Sequence, residues 1–128
     1  MDFHYSVVTE KSVEEAVGAL EESLRANRFG VLWQLDIPAK LQEKGVEYKT
    51  PYRVLEVCNP HEASRVLTQN PLVGYFLPCK IVVYEADGQT RIGLPRPSVL
   101  MEILADPALS DIAQRVEADL KKAVDEAK

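Results

Sequence analysis

The sequence predicts an α+β fold: one layer of mainly antiparallel sheet, about five strands, with helices packed on one face and a long C-terminal helix. Three observations carry this. Short segments with period-two alternation recur along the chain. Two stripes of apolar residues at helical spacing bracket them, one from Val13 to Leu24 and one from Leu109 to Val124. Asp87-Gly88 joins two of the strands as a tight hairpin, which pairs neighbours antiparallel.

Phe3 to Val8 alternates through Phe3, Tyr5 and Val7 and reads as the first strand. Ser12 opens a helix, with Glu15 as its capping-box partner. Asn27 to Gly30 closes it, the glycine permitting a tight reversal. Val31 to Ile37 is the second strand, with Val31, Trp33, Leu35 and Ile37 expected on one face. Pro38 then starts a short helical turn from Ala39 to Glu43. Tyr52 to Cys58 is the third strand, with Leu55 and Val57 on one side and Tyr52, Val54, Glu56 and Cys58 on the other.

Asn59 caps the next helix, Pro60 suits its first position, and Glu62 stands where a capping-box acid belongs. Ala63, Val66 and Leu67 are its expected inward face. Cys79 to Glu85 is a strand rich in β-branched residues, and Thr90 to Leu94 returns beside it. Ser98 to Leu104 forms a short helix, and Asp106-Pro107 starts the last one. Glu117, Asp119, Lys121 and Lys122 read as its solvated face. A parallel crossover about the helix at 60–70 is the topological alternative.

The chain's 128 residues match one ordinary domain, residues 1–128. A net charge of −5, with basic residues scattered among acids, argues against nucleic acid. No stretch approaches the roughly 20 apolar residues of a membrane span. The N-terminus shows no signal peptide, and two cysteines in such a chain suit a reducing cytoplasm.

The segments Phe29-Gly30-Val31-Leu32, Tyr52 through Pro60 with Ala63, and Leu77-Pro78-Cys79 through Glu85 resemble the domain-of-unknown-function 302 family. The likeness runs from the first strand to the last helix, and its two cysteine motifs are its most specific feature. The resemblance implies a compact α+β domain, often dimeric, found in bacteria and archaea. It implies no reaction and no cofactor.

The two motifs are also the best candidate site. Cys58 precedes a helix N-terminus, whose amides and dipole favour a thiolate; its structural role as a small apolar residue at a strand end competes with that reading. Cys79 begins the next long strand. If these strands are antiparallel neighbours, the two cysteines share one sheet edge; if parallel, they lie at opposite ends. Cys58, His61 and Cys79 form a soft three-ligand set for zinc or Cu(I), one short of a structural zinc site. Asn59 and Trp33 complete the candidates. Trp33, Tyr52, Tyr75, Phe76 and Tyr84 are expected mostly as core, or as the lining of a pocket between sheet and helices. Asp36 and Glu56 are expected in solvent or paired with Arg53 or Arg91.

The phosphate-binding loop, dinucleotide fingerprint, nucleophile elbow and zinc-protease motifs are all missing. The leading expectation is therefore a cytoplasmic homodimeric domain that binds a small ligand or partner. A thiol-redox or soft-metal protein using Cys58 and Cys79 is the second, and a purely structural or interaction domain the third.

Overall fold

The computed structural model describes residues 2–128. Its elements in chain order are β1 (His4–Thr9), α1 (Val13–Ala26), β2 (Gly30–Asp36), α2 (Ile37–Glu43), β3 (Tyr52–Cys58), α3 (Pro60–Gln69), β4 (Cys79–Ala86), β5 (Gln89–Pro95), α4 (Pro97–Glu102) and α5 (Ser110–Ala127). Two 3-10 turns, Pro71–Phe76 and Pro107–Leu109, lead into β4 and α5. The strands form a single sheet in the order β1-β5-β4-β3-β2. Every neighbouring pair is antiparallel. The parallel crossover is thereby excluded: α3 and its turn carry the chain from β3 back along the adjacent, oppositely directed β4.

The core lies between one sheet face and the helix pair α1 and α5. Val17, Leu20 and Leu24 of α1 and Leu120 and Val124 of α5 bury against Leu55, Val57, Ile81, Val83 and Ile92. Each of these aliphatic side chains contributes about 1.5–3 kcal/mol by leaving water. Ser12 and Glu15 close the expected capping box on α1. The Asp87-Gly88 hairpin forms with positive φ at both residues, 54° and 74°, as a type I′ turn requires.

Several local expectations change. The left-handed residue after α1 is Arg28, at φ 69°, and Gly30 simply begins β2. Ile37 leaves the sheet to start α2, capped by Asp36, whose carboxylate accepts from the Ala39 amide. A register shift between Val31 and Trp33 places Trp33 opposite Glu56 and Leu35 opposite Val54. A bulge flips the side-chain alternation beyond it. Trp33 and Leu35 therefore share the face of Glu56, away from the core, and not the face of Val31. The expected aromatic core is also corrected. Trp33 is 52% exposed and Tyr75 82% exposed, while Tyr52 and Tyr84 stack on each other as a cross-strand pair. The α1–α5 aliphatics fill the core without them.

Leu67 is exposed, and the buried residues of α3 are Glu62 and Val66. Asp106-Pro107 opens a 3-10 turn, and α5 starts at Ser110. Glu117 is buried, not part of a solvated face. Its carboxylate accepts from the Ser98 hydroxyl (2.6 Å) and amide (3.0 Å), from Arg96 (3.0 Å) and from Lys121 (3.2 Å). Burial opposes its charge, but these donors outweigh it and hold the carboxyl down at about 2. This cluster ties α5 to α4 and to the end of β5.

The ordinary value for such a carboxyl is 4.5. A carboxyl depressed on folding stabilises the fold fully above its unfolded value and ceases to do so as pH falls through the folded one. Stability is thus expected to fall between pH 4.5 and about 2. Glu117→Gln should cost on the order of 2 kcal/mol at pH 7 and flatten that acid limb. Urea unfolding at several pH values measures both; an unchanged acid limb in the variant would show that Glu117 does not drive it.

Candidate functional site

The β3–β4 register sets Val57 opposite Cys79 and Glu56 opposite Lys80. Cys58 is therefore one residue along from the partner of Cys79, at the same sheet edge. Both cysteines are unpaired and partly buried, and both line a small cavity of about 20 Å³ with Phe29, Val57 and Val66. That is room for about one water. Burial pushes the Cys58 thiol up. It pushes Cys79 up to about 11, helped by the neighbouring charges of Cys58 and Glu56. At Cys58 this direction is opposite to the one a helix N-terminus favours. Asn59 caps α3 by accepting from the His61 and Glu62 amides.

His61 is exposed on the first turn of α3. Among the described residues no group of three or more His, Cys, Asp or Glu side chains is placed to hold a metal ion. Cys58, His61 and Cys79 are thus not assembled into the soft-metal set: His61 faces solvent while the thiols face the cavity. Glu62 does not form the expected capping box. It accepts from Arg115 at 2.6 and 3.0 Å and from Arg65 at 2.7 Å. The Arg115 hydrogen bonds hold its carboxyl below the ordinary range.

A larger cavity, about 280 Å³, opens on the other side of the same strand ends. Its apolar wall comes from the turn before β4 (Tyr75, Phe76, Leu77), from the start of α4 (Pro97, Leu100, Met101) and from Pro95. Glu56 and Lys80 supply its charge, and Cys79 lies in its wall. The Glu56 side chain is 9% exposed and that of Lys80 47%. Lys80 Nζ donates to Glu56 Oε1. Among the described residues no hydrogen bond reaches Glu56 Oε2, and Glu56 pairs with neither Arg53 nor Arg91; Asp36 does pair with Arg53, at 3.5 Å. Trp33 stands opposite Glu56 on the other side of β3. The row Trp33–Glu56–Lys80 thus crosses three strands. A roomier hollow of about 640 Å³ lies along α4 and the start of α5, but its Arg96 and Asp106 already hold Glu117 and Asn70.

The sequence picks out these strand ends through their cysteines and does not pair Glu56 with Lys80, which the structure brings together beside them. The available signal was two opposite charges on neighbouring strands predicted to be antiparallel. Reading them as partners required the register.

The fold and this strand-end site define a single-sheet α+β domain with a small, mostly apolar cavity beside one ion pair. The sequence model of a family described as "Domain of unknown function DUF302" matches residues 5–127, and the chain belongs to that family. A solved structure described as the crystal structure of an uncharacterized conserved DUF302 protein from Bacillus stearothermophilus is similar over 100% of both chains, with 50% identity and a TM-score of 0.96. No curated protein matches the chain.

Raised thiol values make both cysteines poor nucleophiles at neutral pH. Iodoacetamide labelling of the native protein at pH 7, mapped by mass, should be slow at both, with Cys58 modified before the more deeply buried Cys79. Labelling of either as fast as a small free thiol would contradict this.

Proposed function

We propose that the protein is a cytoplasmic, homodimeric small-ligand-binding domain without catalytic machinery of its own. The observation that supports ligand binding most is the unpartnered Oε2 of Glu56 beside an apolar cavity. A carboxylate this withdrawn ordinarily gathers protein donors on both oxygens; Oε2 of Glu56 instead keeps contact with solvent at the cavity, where a ligand donor can reach it. Glu62 and Glu117, the other buried carboxylates, use both oxygens in this way. A cavity of about 280 Å³ sits at the small end of ligand sites and suits a small metabolite. Unpaired thiols support a reducing compartment.

The homodimer rests on the sheet face that α1 and α5 leave uncovered. Leu35, Val54, Val82 and the Tyr52–Tyr84 pair share it with Trp33, by register and alternation. Its charges are the Glu56–Lys80 pair at the strand ends, whose members neutralise each other, and Arg91 beside Tyr84. A second copy would therefore meet a largely apolar surface with one basic residue on it. At usual strand spacings this face measures about 500 Å² in plan, the order of area that one partner contributes to a stable interface.

A thiol-based function has one observation in its favour, the cavity shared by Cys58 and Cys79; the raised thiol values weigh against it.

A thermal-shift and calorimetric screen of small metabolites should yield ligands that stabilise the protein, by about 2.7 kcal/mol at a hundredfold excess over Kd. Leu100→Trp, which fills the cavity, should abolish the effect. Hits that bind the variant equally well would place binding elsewhere. Light scattering should give about twice the 14.3 kDa chain mass, and Val82→Glu should halve it. A monomer mass at every concentration would refute the dimer.

A further inference from the structure

We infer that the Glu56–Lys80 cavity takes a zwitterion with an apolar body, the chemistry of an apolar α-amino acid; this rests on the ligand-binding reading above. The site offers two opposite charges with spare bonding capacity. Glu56 has a free Oε2, and Lys80 uses only one of its three N–H donors, on Glu56 Oε1. The remaining wall is apolar: Phe76, Leu77, Pro95, Pro97, Leu100 and Met101.

Charge balance then selects the ligand. The resident pair is neutral. A ligand with a single charge would engage one member of the pair and weaken its bond to the other, a loss felt most at the Glu56 side chain, which is only 9% exposed. An uncharged apolar ligand would seal the Glu56 oxygen away from water without a donor. A zwitterion avoids both costs. Its ammonium donates to Glu56 Oε2, its carboxylate accepts from Lys80, and the net charge of the site stays zero. The ligand's apolar side chain lies against Leu100 and Met101.

The register provides a reporter. Trp33, the only tryptophan of the chain, stands opposite Glu56, so a ligand ammonium arriving at Glu56 should change its fluorescence.

The test uses the full-length unmodified chain and four probes of one shape: leucine, 4-methylpentanoate (carboxylate only), isoamylamine (amine only) and 4-methylpentanamide (uncharged). Calorimetry and Trp33 fluorescence read binding. Leucine should bind, and each of the other three at least tenfold more weakly, because each leaves a site charge or acceptor unpaired. Glu56→Gln should weaken leucine at least tenfold while leaving 4-methylpentanoate unchanged or tighter, with near-UV circular dichroism confirming the fold. If any single-charge or neutral probe matches leucine, the zwitterion inference fails and the cavity stands as a site for that other chemistry. If none of the four gives a saturable signal up to about 10 mM, but the metabolite screen finds Leu100→Trp-sensitive ligands of other chemistry, the inference alone fails. Silence in both experiments overturns the inference and the ligand-binding reading together.

Discussion

The antiparallel register of β3 against β4 is the constraint from which the rest of the site follows. It sets Glu56 opposite Lys80 on one face and Val57 opposite Cys79 on the other. Alternation then sends Leu55 and Val57 into the core under α1 and α5, while Glu56 faces the open side. A slip of one residue would exchange those faces, exposing Val57 and driving Glu56 into the aliphatic core. The hydrophobic pattern of two central strands therefore fixes, at no further cost, where the ion pair stands.

Buried carboxylates serve two different ends in this chain. Glu117 and Glu62 are donor-saturated and link separate elements: Glu117 joins α5 to α4, and Glu62 joins α3 to α5. Their low carboxyl values follow from these donors, which bind the charged form. Glu56 is equally withdrawn from solvent but has one partner, a half-exposed lysine. Its structural role is correspondingly thin: it joins only adjacent strands already held by the backbone ladder. Bonding capacity that the fold does not use is what the proposed ligand would take up.

Local signals in the sequence carried the fold well. Ser12–Glu15, Asn59-Pro60 and Asp87-Gly88 act over four residues or fewer, and each does in the structure what its chemistry dictates. The misreadings are non-local. Trp33 changed face because a bulge at Leu32 interrupts the alternation, and no residue type there announces a bulge. Glu62 reads as a capping-box acid and Glu117 as part of a solvated face because their arginine partners lie 53 and 21 residues away. Whether Cys58 and Cys79 meet depends on strand topology, which no local signal sets. Their antiparallel strands bring them to one edge, yet the same packing partly buries them and pushes their thiols up, against the direction that a helix N-terminus favours. Glu56 and Lys80 were visible only as scattered charges, since pairing is a property of register and not of composition.

The central claim, that Glu56 and Lys80 form the polar end of a ligand site, is tested most directly by mapping amide chemical shifts of the labelled protein during titration with leucine. The expected result is a saturable set of changes confined to the amides around Glu56, residues 75–80 and residues 95–101, with the Trp33 indole moving in step. Saturable changes centred elsewhere, or a spectrum unmoved at every concentration, would contradict it.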